Sequence, residues 1–223
     1  MIILKKFFDR MREMIPMVMF MIVYLLAFSL LEKRRPADYT EIHIWLDDAI
    51  PFTKVFIIPY LLWFAFVAVS VICLYLTDRK NYDRTATLLY FGMTVFLVIS
   101  FVFPNVQYLR PRYIPGQDLF SVLVRRLYRT DTNTNVFPSI HVYNTLCCMA
   151  GMLQSRAKIA QKVWIRAGVV ILGVSIILST MFLKQHSLID VIGACLLFVP
   201  MHVLVFGYDM VIATRRSGAF SHR

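Results

Sequence analysis

The sequence is poor in charge. Only 17% of its 223 residues are Asp, Glu, Lys or Arg, whereas 59% are hydrophobic and the mean hydropathy is +0.65. That balance excludes an ordinary soluble domain. Acidic residues are the scarcer sign, 13 against 24 basic ones, giving a net charge of +11. Such an excess often marks nucleic-acid binding. Here the basic residues sit in short segments between apolar runs, so a membrane explanation comes first and no nucleic-acid partner is expected. Cysteine is sparse as well. Cys73, Cys147, Cys148 and Cys195 all lie in apolar runs, none at metal-ligand spacing, and the adjacent pair does not suit a structural disulfide. They read as buried free thiols. There is no internal repeat and no low-complexity tract. No clear small-residue cleavage site follows the first apolar run, which is therefore expected to be a retained anchor.

What is present is length of apolar sequence. A helix needs about 20 apolar residues to cross about 30 Å of hydrocarbon. Six runs approach this: roughly Ile15–Leu31, Phe52–Leu76, Ala86–Phe103, Ser139–Leu153, Val163–Leu183 and Leu188–Ala213. The fourth is the shortest and carries His141 and Asn144. The expected fold is all-α, a single integral membrane domain over residues 1–223 with about six transmembrane helices. Met1–Met14 mixes apolar and basic residues, as an interfacial amphipathic helix would. Trp45 and Tyr39, in the polar stretch Glu32–Pro51, are expected at headgroup level.

Lys5, Lys6, Arg10 and Arg12 put the N-terminus on the cytoplasmic side, and six crossings put the C-terminus there too. That side then holds 14 of the 24 Lys and Arg residues. Of the others, Arg110, Arg112, Arg125, Arg126, Arg129 and Lys184 gather near two polar motifs, as the site for an anionic substrate requires. The expected location is the plasma membrane.

The first motif is Pro138-Ser139-Ile140-His141. Proline and a capping serine start a helix, whose first N–H groups lack intrahelical partners and can hold an anion. The bland alternative is an ordinary helix cap beside an interfacial histidine. The second motif is Lys184-Gln185-His186, followed by Asp190. Four residues apart on a helix, His186 and Asp190 are neighbours, and the carboxylate can fix the imidazole tautomer and leave the other nitrogen free to attack. The bland alternative is a contact that only satisfies two polar groups. The helices starting near Ser139 and Leu188 are separated by a crossing and a return, so both motifs fall on one membrane face. The 104–138 segment, with Arg110 and Arg112, an amphipathic piece over Leu119–Tyr128 and a polar loop over Asp131–Asn135, feeds that face.

With these residues in place, the chain resembles the type 2 phosphatidic acid phosphatase superfamily. Asn135 to His141 is similar to its PSGH-type signature, Ser179 with His186 and Asp190 to its SRxxxxxHxxxD signature, and Arg110-Pro111 to the end of its KxxxxxxRP signature. The catalytic motifs span 104–192. The resemblance implies that His186 attacks phosphorus, Asp190 orients it and His141 protonates the leaving oxygen. It implies that Ser139, the Ile140 N–H and Arg110 hold the phosphate oxygens, with no metal and no cofactor. The substrate would be a lipid phosphate or phospholipid from the bilayer. Oligomeric state is left open.

Three positions depart from the family pattern. Ile140 stands in place of glycine, Phe103 in place of lysine and Thr180 in place of arginine. Lys184 could replace one missing cation and Arg112 or Arg129 the other, although each could equally be an interfacial charge. These departures resemble the branch that contains sphingomyelin and inositol-phosphorylceramide synthases, which transfer headgroups. Hydrolysis at the extracytoplasmic face is the leading expectation, with headgroup phosphotransfer as the alternative. A non-catalytic lipid-binding or transport protein is the second alternative. A transporter would show polar residues deep in several spans, whereas here they gather at one end.

Overall fold

The computed structural model describes residues 2–34, 36 and 38–218, without the side chains of residues 2–11, 13, 14 and 208–218. Among the described residues, eight α-helices make up nearly three quarters: α1 (Ile2–Lys33), α2 (Trp45–Ala49), α3 (Ile57–Thr77), α4 (Arg79–Val102), α5 (Leu119–Thr130), α6 (Ile140–Gln154), α7 (Val163–Phe182) and α8 (Leu188–Gly218). Among the described residues, five segments are long and apolar enough to cross a membrane: Ile15–Lys33, Lys54–Thr77, Arg79–Val102, Val163–Phe182 and Leu188–Gly207. The chain is an integral membrane protein with an all-α bundle. The fourth run, α6, has 15 residues, which at 1.5 Å per residue is about 22 Å, short of the hydrocarbon thickness. It need not meet lipid along its length, because α3, α4, α7 and α8 all pack against it. Val142, Tyr143, Cys147 and Cys148 on α6 are fully buried, and both cysteines are free thiols as expected.

α6 and α4 approach closely because Gly92 has no side chain. A Cβ there would stand 1.9 Å from Cε1 of Tyr143, whose hydroxyl donates to the Leu88 carbonyl at 2.9 Å. At one end of the bundle Asp78 caps α4 through the Asn81 N–H and also accepts from the Ser155 hydroxyl at 2.8 Å and the Arg156 N–H at 2.9 Å. One carboxylate thus joins the α3–α4 turn to the α6–α7 turn. The N-terminal segment forms no separate element, since α1 runs unbroken from Ile2 to Lys33. The expected amphipathic face of residues 1–14 lies, Arg12 apart, outside the described residues.

The opposite end carries the loops. Two short strands, β1 (Thr40–Glu41) and β2 (Asn105–Val106), pair in parallel, and Val106 also bridges Thr134. Neither strand shows the alternation that would reveal it in the sequence. They join the segments that leave α1 and α4 to the segment that enters α6. The Asn105 side chain completes the join by accepting the N–H groups of Val136 and Phe137 at 2.7 and 2.9 Å. The amphipathic piece is α5, capped by Asp118, with Val124 buried against Ile57, Tyr60, Ile114 and Leu183. Lys54 holds Asp118 at 2.5 Å, and this bond, with that of Ser121, keeps the Asp118 carboxyl well below the usual carboxylate range.

Candidate active site

Two helix starts meet here. The Ser139 N–H donates to the Asp190 carbonyl at 3.1 Å, which ties the beginning of α6 to the beginning of α8. Ser139 is fully buried and caps α6 by accepting the Val142 N–H at 3.4 Å. The cap therefore forms as the sequence suggests. His141, in the first turn of α6, then lies with its ring centroid 5.9 Å from that of His186, at an interplanar angle of 56°. Nδ1 of His186 lies 3.2 Å from the buried carboxylate of Asp190.

The His186–Asp190 contact arises differently from the helical spacing expected of it. α8 begins only at Leu188, so His186 belongs to the turn before the helix. The N–H groups of Gln185 and His186 both donate to the Thr180 carbonyl at the end of α7, at 2.9 and 3.0 Å. Asp190, in the first turn of α8, reaches back to accept the Ser187 N–H at 2.9 Å and to face His186. One carboxylate thus caps its own helix and orients the imidazole, leaving Nε2 directed away from it.

The histidines border a cavity of about 50 Å³, with Phe28, Phe96, Thr132, Asn135, Ile140 and Gln185 among its walls. That volume holds roughly a few waters. Arg110 stands behind the wall. Its guanidinium donates to the carbonyls of Asp131 and Thr132 at 2.9 and 2.7 Å and to the Gln185 side chain, and it lies over the Tyr128 ring at 4.7 Å. Nε of Arg110 is buried without a partner among the described residues. Burial lowers the guanidinium pKa from its ordinary value, opposed by Asp131, so a nearby anion would be favoured on electrostatic grounds. Ile140, despite replacing glycine, keeps its backbone N–H at the start of α6 and adds a side chain to the cavity wall.

The other expected cations are not brought here. Lys184 lies on the far side of the turn from His186, in the left-handed region at φ 53°, and its amine donates to the Asp47 carbonyl at 2.5 Å. It lines a separate cavity of about 420 Å³ with Glu41, His43, Asp48 and Tyr108. Burial lowers the Lys184 pKa, against the opposing pull of Asp47 and Asp48. Arg112 and Arg129 are exposed and point into no cavity wall described above. Thr180 is buried and bonded to the Ile177 carbonyl, and Phe103 ends α4.

Several residues of the site carry no signal in the sequence. Asp47, 1% exposed, accepts the Ser187 hydroxyl at 2.6 Å, the Leu188 N–H at 2.8 Å and the Ile44 N–H at 2.9 Å. It caps α8 from 141 residues away in the chain. Tyr60 and Trp63 pack their rings on His141, at centroid distances of 4.8 and 4.3 Å, and the Trp63 indole donates to the His141 carbonyl. Glu32, in the last turn of α1, accepts from Thr132, Thr134 and Asn135 and so pins that helix to the cavity rim. Trp45, expected as a headgroup anchor, is 76% exposed at this end of the bundle.

A membrane bundle that gathers two histidines, a carboxylate and a buried arginine at one end has the parts for phosphoester chemistry. The comparison with known families agrees. The family model described as the PAP2 superfamily matches residues 85–209, more than half of the chain. The chain belongs to the PAP2 superfamily, and is a phosphatase- or phosphotransferase-type lipid enzyme. Comparisons with curated proteins and with solved structures give no match.

Proposed function

We propose that this protein is a lipid-phosphate phosphatase that works through a phosphohistidine on His186. The observation that carries the reading is the His186–Asp190 contact of 3.2 Å with the His141 ring 5.9 Å away across one small cavity. Asp190 holds the proton on Nδ1, so the Nε2 lone pair is the nucleophile. As the Nε2–P bond forms, the bond from phosphorus to the lipid oxygen breaks, and that oxygen takes a proton from His141. In the second half-reaction water loses a proton to His141 and attacks phosphorus. The N–P bond then breaks to release inorganic phosphate and restore His186. Arg110 and the donors at the start of α6, the Ile140 N–H and the Ser139 hydroxyl, balance the charge that builds on the phosphate oxygens. In this arrangement Lys184 and Arg112 take no direct part.

An alcohol in place of water in the second step would make the same site a headgroup phosphotransferase. The excess of basic residues at the opposite loops supports cytoplasmic termini and an extracytoplasmic site in the plasma membrane. The test is phosphate release from a panel of lipid phosphates by detergent-purified protein with EDTA present, with and without alcohol acceptors. Release that needs only water supports the reading. Product formed only with an alcohol would reassign the protein as a transferase, and no product under either condition would refute it.

A further inference from the structure

An apolar groove of about 590 Å³ opens between α1, α3 and α4. It exists because α1 packs against α4 and leaves a gap toward α3. Its walls run from Met17 to Leu25 on α1 and from Trp63 to Ile72 on α3, a length of about 13 Å at 1.5 Å per residue. These stretches lie inside segments long and apolar enough to cross the membrane, where the groove would border hydrocarbon. Its floor is α6, through Ile140 and Asn144.

Two observations connect this groove to the histidines. Ile140 lines both the groove and the catalytic cavity, and Trp63, another groove wall, packs on His141. The side chain that replaces the family glycine is therefore the shared partition between them. Asn144 is 3% exposed, yet its Oδ1 is buried without a hydrogen-bond partner among the described residues, in an otherwise apolar lining. A buried amide oxygen left unpaired is costly, and nothing apolar relieves it. Asn144 follows His141 by three residues on α6, a rise of about 4.5 Å along the helix axis. A donor placed there on a bound lipid would lie a few bonds from the reacting phosphorus.

We infer that the groove holds the hydrocarbon chain of the substrate, and that Asn144 selects lipid phosphates bearing a hydroxyl or amide N–H next to the phosphoester. This rests on the phosphatase reading for the identity of the ligand's polar end. The catalytic cavity, at about 50 Å³, then enlarges on its Ile140 side as the lipid enters from the bilayer.

The test uses non-hydrolysable long-chain alkyl phosphonates in matched pairs, with and without a hydroxyl adjacent to the phosphonate-bearing segment. One further probe carries a diazirine at mid-chain. Purified protein in detergent is expected to bind the hydroxylated member more tightly, by roughly tenfold. Asn144→Leu, checked for an unchanged melting temperature, is expected to abolish that preference. If this variant does not fold, photolabelling of the unmodified protein decides the matter, with crosslinks expected within Met17–Leu25 on α1 and Trp63–Ile72 on α3. Equal affinity for the pair in wild type, a preference that survives Asn144→Leu, or crosslinks confined to the outer faces of α7 and α8 would overturn the inference. Binding that follows this pattern without any phosphate release from lipid phosphates would keep the groove and refute the phosphatase reading instead.

Discussion

Asp47 is the residue whose loss should show most clearly how the nucleophile is held. Its carboxylate accepts three donors, the Ser187 hydroxyl, the Leu188 N–H and the Ile44 N–H, at 2.6 to 2.9 Å, and it is almost fully buried. Asp47→Ala strands these donors in a site that water cannot easily reach. Each stranded buried donor costs about 1–3 kcal/mol, and the cap on α8 alone is worth about 1 kcal/mol. Partial relaxation will recover some of this, so the expected loss of stability is roughly 3 kcal/mol. The catalytic effect is separate. Ser187 follows His186 directly and feeds its N–H to Asp190, so a looser turn misplaces the imidazole. A displacement of about 1 Å in a positioned group can cost about a hundredfold in rate. Asp47 touches no cavity wall of the histidine site, so kcat should fall while KM changes little. Asp47→Asn keeps an acceptor for Leu188 but turns its amide toward Ile44 or Ser187, and should fall between wild type and Asp47→Ala. The assay is thermal unfolding in detergent together with steady-state release of phosphate from a lipid phosphate. Wild-type melting temperature and wild-type kcat in Asp47→Ala would refute the argument.

Other substitutions probe the remaining parts. Arg110→Gln removes the buried cation behind the cavity and should lower kcat/KM by about 10- to 100-fold, the worth of one charge-assisted contact; activity within twofold of wild type would remove it from phosphate binding. Lys184→Met loses only the bond to the Asp47 carbonyl, so kcat should drop modestly with KM unchanged, whereas a large rise in KM would return Lys184 to the phosphate. Gly92→Val forces a side chain into the Tyr143 ring and should destabilise the bundle by about 1–3 kcal/mol in thermal unfolding; an unchanged melting temperature would deny the close α4–α6 approach. For topology, cysteines at Asn133 and Ser217 in a background without reactive native thiols should differ in intact cells. An impermeant reagent should label position 133 alone, and label at 217 alone would invert the proposed orientation.

The bundle was legible because membrane spans announce themselves by length and apolarity, and five of the six runs recur as long helices, three within two residues at each end, while the third starts seven residues earlier, at Arg79, and the last span closes at Gly207. The fourth run was marked by its shortness and by His141 and Asn144; it forms α6, and a helix wrapped by neighbours needs neither full length nor purely apolar residues. The two motifs were legible because each is local, and topology alone puts them on one end. What stayed hidden is long-range and polar. Asp47 is one acidic residue in a loop, and nothing near it in sequence says that it caps a helix 141 residues later. The Tyr60 and Trp63 rings on His141 look like any aromatic pair in an apolar run. Lys184 misleads because proximity in sequence to His186 is not proximity in space when the turn between them reverses direction. The departure at Ile140 gains a physical role only when both cavities it borders are seen.

The central claim is that phosphorus passes through His186. The most direct measurement is to mix purified protein with a lipid phosphate labelled at phosphorus, with EDTA present, quench within the first turnover and map any protein-bound label. Label is expected on the peptide that contains Lys184–Asp190, labile to acid and stable to base as a phosphohistidine is, and absent from His186→Ala, which should also lose turnover. Label on another residue, or turnover near the wild-type rate in His186→Ala, would contradict it.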